Sequence, residues 1–169
     1  LNEWNVQAEG AGFKEKHTLE GASFNAAVLC MLQNTDYVDM AMYYCFSLIG
    51  KYNGFLDQND NSVCPPWYSY VAFGNLYTLG NAVEIAHTEG VYAAAAKNED
   101  AYGILLANYS GDEEETVVHI KGISDTKTAQ VMFIDETHNL EEEFGFTLGQ
   151  EADVKIRLPK QTVAYIKVE

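Results

Sequence analysis

Arginine is almost missing: Arg157 stands alone in a chain of 169 residues. With no second guanidinium, no paired clamp can grip a phosphate or carboxylate substrate. Cations of both kinds are scarce, 10 Lys and Arg against 25 Asp and Glu, for a formal net charge of −15. Nucleic-acid binding depends on cationic neutralisation of phosphates, so this balance argues against DNA, RNA and anionic membrane as partners. Long apolar runs are lacking too. The longest, Ala26 to Leu32, has seven residues, where a membrane-spanning helix needs roughly 20. Cysteine is limited to Cys30, Cys45 and Cys64, with no CxxC and no disulfide framework. A reduced, soluble setting, cytoplasmic before any other, is the expectation, with Cys30 a core residue. No basic segment ahead of an apolar stretch marks a signal peptide. The chain opens on Leu1 rather than Met, which reads as a cut and predicts a fragment of something longer.

What is present is ordinary for a folded protein, 47% hydrophobic and 21% charged, and excludes a disordered tail, a collagen-like fibre and a coiled coil. A neutral substrate fits the charge best, and sugars are the obvious neutral class. Residues 1–90 hold both tryptophans and 14 of the 21 aromatic residues. Leu1–Val6 reads as a short strand and 7–19 as a loop. Gly21–Asn34 reads as a buried helix with Ser23 able to cap it, since alanine and leucine favour helix over strand. Val38–Phe46, apolar on both faces towards its end, reads as a parallel strand. Residues 47–66 form a long loop, of a length uncommon unless functional. Pro66-Trp67 then opens a second helix that runs to Gly80.

The second half changes character. Runs at 83–87, 91–96, 102–109, 116–121, 129–135, 142–147, 152–158 and 162–168 read as short strands divided by turn residues. In Val154–Leu158 the apolar residues fall on one face, while in Val163–Val168 the alternation is weaker. Short strands with turn signals every 8–12 residues predict an antiparallel sandwich or barrel. The fold expected is therefore mixed: two βα units over 1–81, then a jelly-roll-like antiparallel β-sandwich over 82–169. Two βα units cannot cover their own sheet. They must pack on the sandwich, on an upstream barrel portion, or on a second copy of the chain.

The first residues are the most informative. Glu3-Trp4-Asn5 at a strand end resembles the nucleophile segment of retaining glycosidases built on (β/α)8 barrels. The resemblance is to the α-L-arabinofuranosidases of glycoside hydrolase family 51, with the β-xylosidases of family 39 in the same clan as second choice. Cys30–Gln33 followed by Asp36–Ala41 resembles the helix and last barrel strand of that template. Pro66–Phe73 resembles its final helix, and the β-rich tail its closing sandwich. Two departures leave arabinose and xylose both open: Asn2 stands where the family usually has an acidic residue, and Tyr68-Ser69-Tyr70 follows Trp67 where a glutamine is usual.

The chemistry explains why such a motif matters. A retaining glycosidase needs an ionised carboxylate below the anomeric carbon and a second carboxyl about 5–5.5 Å away as acid/base. In barrels these groups lie at the C-terminal ends of strands. The resemblance makes Glu3 the nucleophile and offers Trp4 and Trp67 as surfaces for sugar rings, whose C–H faces suit an aromatic plane. It places the acid/base upstream of this chain, so the chain alone is expected to be inactive while the parent is a glycosidase acting on plant-type polysaccharides or oligosaccharides. The alternative is a non-catalytic β-sandwich module for carbohydrate binding or domain packing. No cofactor is implied. His17, His87, His119 and His138 are scattered without HxH or HExxH spacing, so no metal is expected. Asp57–Asn61 is dense in oxygen ligands but lacks an EF-hand's Gly and Glu, and reads as a solvated loop. Asn108-Tyr109-Ser110 is a glycosylation sequon and reads as incidental.

Overall fold

The computed structural model describes residues 1–6, 15–46, 52, 54–112 and 114–169. Among these, two α-helices precede eight β-strands, in accord with the mixed fold expected. Helix α1 (Leu19–Gln33) starts two residues earlier than the expected Gly21. Thr18 occupies the N-cap position in extended conformation, and Ser23 lies inside the helix with its hydroxyl donating to the Glu20 carbonyl at 3.1 Å. The cap expected at Ser23 is thus corrected to Thr18. Gly21 is required within the first turn, because a Cβ there would come to 2.8 Å from the Glu15 carbonyl oxygen.

Helix α2 (Pro65–Thr78) carries proline in its first turn, where the missing N–H costs nothing. The two helices pack directly. Ala22, Ala26 and Ala72 are all fully buried, and their small side chains allow the close approach. Ser69 fixes the pairing by donating to the Ala22 carbonyl at 2.7 Å.

The strands are β1 (Asn81–Val83), β2 (Tyr92–Lys97), β3 (Tyr102–Asn108), β4 (Glu115–Lys121), β5 (Lys127–Ile134), β6 (Asn139–Leu148), β7 (Glu151–Arg157) and β8 (Thr162–Val168). Six form an antiparallel sheet in the order β1-β2-β3-β8-β5-β6, and β4 pairs with β7 alone. Strands β4 and β7 alternate exposed and buried residues, as strands with one wet face do. Strand β8 does not alternate because it is covered on both sides. Val163 and Tyr165 face α1 and α2, while Ala164, Ile166 and Val168 join the core shared with β4 and β7. The weak alternation of 163–168 in the sequence marks this central position.

Two expected strands are shorter than their residues suggest. The run 83–87 contributes only its first residue to β1, which ends at Val83. At its end, the Ala95 carbonyl of β2, in register with Val83, accepts from Gln33 Nε2 at 2.9 Å, and beyond it the Ala93 carbonyl accepts from Asn34 Nδ2 at 2.9 Å. The end of α1 therefore sits where a longer β1 would pair. Val38–Phe46 forms no continuous strand either. Among the described residues it meets Leu1–Val6 in one parallel bridge, Trp4 to Tyr43. Of the expected loops at 7–19 and 47–66, residues 7–14, 47–51 and 53 lie outside the described residues. Of the rest, Glu15–His17 form a 3-10 helix, Leu19 already belongs to α1 and Pro65 and Pro66 to α2.

Candidate functional site

Leu1–Asn5 and Met42–Tyr44 run side by side. Met42 N donates to the Leu1 carbonyl at 3.1 Å, Trp4 N to Met42 at 3.2 Å and Tyr44 N to Trp4 at 3.0 Å. Successive strand residues point to opposite faces, and this separates Glu3 from Trp4. Glu3 is exposed. Trp4 turns towards the helices and meets Phe24 at a ring-centroid distance of 6.4 Å, Tyr43 at 5.2 Å and Tyr70 at 6.2 Å.

These rings belong to a larger aromatic cluster. Tyr43 stacks on Phe55 at 4.6 Å, and Phe55 meets Tyr70 edge-on at 4.9 Å. Trp67 lies at the rim, 5.7 Å from Phe46 and 5.9 Å from Phe55. It remains 37% exposed, whereas Trp4 is half-buried. Burial pushes the Tyr43 hydroxyl up to about 12, against the lowering effect of the Asn25 and Asn5 amides. Burial also raises Tyr70, helped by neighbouring Tyr43. Both phenols are therefore neutral at physiological pH: the Tyr43 hydroxyl donates to Asn5 Oδ1 at 3.4 Å, while Tyr70 packs among the rings with its hydroxyl buried and unpaired among the described residues. A cleft of about 580 Å³ opens beside the cluster, lined by Trp4, Ala41, Tyr43, Tyr70, Phe73 and Tyr77 among others.

Asn5 is the residue that sequence reasoning passed over. Its side chain donates to the carbonyls of Tyr44 at 2.7 Å and Tyr52 at 3.1 Å. It accepts from Val6 N at 2.6 Å and from the Tyr43 hydroxyl at 3.4 Å. Its place directly after Glu3-Trp4 was the available signal. Its partners 38 to 47 residues away were not visible in the pattern.

Other candidates take structural roles. Among the described residues no group of three His, Cys, Asp or Glu side chains is arranged to hold a metal ion. Asp57 accepts from Asn59 N at 2.7 Å and Asp60 from Ser62 N at 2.8 Å, so these carboxylates shape the turn of their own loop. Asn108 of the sequon is fully buried. It donates to the Leu158 carbonyl and accepts from Gly111 N, each at 2.8 Å, which leaves no amide open to glycosylation. His138 bridges Asp135 and Glu143, 2.9 Å from each. No helix among the described residues is long and apolar enough to cross a membrane.

The fold is one that the chain shares with portions of several solved glycoside hydrolases. No family model and no curated protein sequence matches the chain. Solved structures do. A glucosidase from Croceicoccus marinus superposes with a TM-score of 0.83 at 17% identity, over 99% of this chain and 45% of its own. The GH39 enzyme from Xanthomonas axonopodis pv. citri gives 0.77 at 12% identity, over 99% and 44%. The family 30 subfamily 8 xylanase Xyn30A from Clostridium acetobutylicum gives 0.75 at 14% identity, over 100% and 42%. The chain thus spans less than half the length of each of these enzymes. Helices and sheets are matched together over almost the whole chain. At these identities the likeness defines the fold, and it is shared by several families.

Proposed function

We propose that this chain is the C-terminal portion of a retaining glycoside hydrolase, with residues 1–81 closing a (β/α)8 barrel and 82–169 forming its sandwich. Glu3 is the nucleophile of the intact enzyme. The observation that carries the reading is an exposed glutamate beside a parallel β-bridge, Trp4 to Tyr43, in a chain whose whole length takes the fold of solved glycosidases. The Glu3 carboxylate attacks the anomeric carbon as the glycosidic C–O bond breaks. A carboxyl group from an earlier barrel strand protonates the leaving oxygen and then activates the water that releases the sugar.

The surroundings of Glu3 support the same reading. Along 40–46, Met40 (66% exposed), Met42 (49%), Tyr44 (44%) and Phe46 (60%) alternate with less exposed residues. An apolar face of this kind needs cover, and the missing barrel strands are the cover proposed. Trp67 supplies free ring surface for a sugar, whereas Trp4 serves the site by anchoring the strand that bears Glu3. The substrate is a neutral carbohydrate of plant type. An arabinofuranoside or a xyloside comes first, because Glu3-Trp4-Asn5 resembles that nucleophile segment.

The test is kinetic. In the full-length protein, Glu3→Gln is expected to reduce kcat on aryl glycosides by about 10⁴-fold or more, in the range for loss of a covalent nucleophile. Azide should restore turnover to Glu3→Ala by standing in for the carboxylate. Full activity of Glu3→Gln would refute the assignment. Oligosaccharide binding with no hydrolysis by the full-length protein would favour a binding module instead.

A further inference from the structure

The Asn5 amide does the work of a missing ladder rung. A parallel ladder with the bonds Trp4 N to Met42 and Tyr44 N to Trp4 would continue with Val6 N donating to the Tyr44 carbonyl. That rung is absent. Val6 N turns to Asn5 Oδ1 at 2.6 Å, and the Tyr44 carbonyl accepts from Asn5 Nδ2 at 2.7 Å. The same Nδ2 donates to the Tyr52 carbonyl at 3.1 Å, which also accepts from Cys45 N at 3.3 Å. One side chain therefore ties together the strand end at 1–6, the segment at 42–45 and the loop residue 52. On its other side Asn5 Oδ1 accepts from the Tyr43 hydroxyl at 3.4 Å, and the aromatic cluster holds the Tyr43 ring.

We infer that Asn5 is a positioning residue for the Glu3 carboxylate: it terminates the parallel pairing at the strand end and fixes the backbone from which Glu3 projects. The inference rests on the reading of Glu3 as nucleophile. Only a primary amide meets these demands, since it offers two donors and an acceptor in one plane. Aspartate keeps the shape but sets a carboxylate against two carbonyl oxygens. Alanine leaves both carbonyls without this donor. Displacing a nucleophile by about 1 Å costs on the order of 100-fold in rate while leaving contacts to the rest of the sugar in place. The effect belongs in kcat rather than in binding.

The experiment uses the full-length protein and an aryl glycoside with a good leaving group. Asn5→Ala and Asn5→Asp are expected to lower kcat about 100-fold, with the inhibition constant of a competitive sugar changed by less than about threefold. Asn108→Ala is the control. It removes an amide with comparable bonds in the sandwich and is expected to lower Tm as much or more, with kcat unchanged. If Asn5→Ala fails to fold, the isosteric Asn5→Asp carries the test. Wild-type kcat in a folded Asn5 variant would overturn the inference, and so would kcat loss in Asn108→Ala matching that of the Asn5 variants. Glu3→Gln separates the two levels. An inactive Glu3→Gln beside a fully active Asn5→Asp defeats only the positioning role, whereas a fully active Glu3→Gln defeats the reading beneath it.

Discussion

Glu3 and Trp4 are adjacent in the chain and opposite in the fold. One is exposed and the other is packed among Phe24, Tyr43 and Tyr70. The motif at residues 3–5 was legible because its residue types are unusual together. Which way each of its residues faces was not, because facing is set by pairing with Met42–Tyr44, some 40 residues later. Far from the strand end, His138 joins β5 to β6 through Asp135 and Glu143. Its pKa is raised, chiefly by the hydrogen bond to Asp135 and further by the two carboxylate charges, against some desolvation. A folded pKa above the unfolded value of 6.5 means that protonation favours the fold. The contribution is complete below about 6.5 and is lost as pH rises through the raised value. The stability difference between wild type and His138→Gln, from urea unfolding, is expected to be larger at pH 5.5 than at pH 8.5. An equal difference at both would count against the bridge.

The helices show how small side chains position large elements. Ala22, Ala26 and Ala72 are fully buried where α1 and α2 meet, and α1 in turn lies on β2, β3 and β8. Enlarging Ala72 to leucine is expected to cost about 1–3 kcal/mol by overpacking, read as a lower unfolding midpoint in urea. An unchanged midpoint would mean that the helices are not tightly apposed. Most elements were legible at this scale. Strands β4 and β7 alternate cleanly because one face is wet, and α2 carries its proline start. The failures share one cause. Residues 38–46 are apolar enough for a barrel strand, but strand formation depends on neighbours along both edges. Among the described residues the segment has one bridge to Leu1–Val6 on one edge and one bond, Cys45 N to the Tyr52 carbonyl, on the other. Residues 84–87 have the composition of a strand, but Asn34 occupies the Ala93 carbonyl, the pairing position on β2 beyond Val83. Neither local composition nor periodicity reports what sits at an edge.

At the scale of the molecule, a net charge of −15 surrounds an apolar face of Met40, Met42, Tyr44 and Phe46. Such a face is covered in a stable protein. The 169-residue chain alone is expected to bind a hydrophobic dye or self-associate and to show no turnover of aryl glycosides, whereas the full-length protein does neither of the first two. Robust hydrolysis by the chain alone would contradict the proposal that the acid/base lies on an earlier barrel strand. The most direct measurement is covalent. The full-length protein is incubated with 2-deoxy-2-fluoro aryl glycosides of the arabino, xylo and gluco series, digested, and analysed by mass spectrometry. A glycosyl group on the peptide containing Glu3, absent in Glu3→Gln, is the result predicted. A label on any other carboxylate in an active, inhibited enzyme would contradict the account.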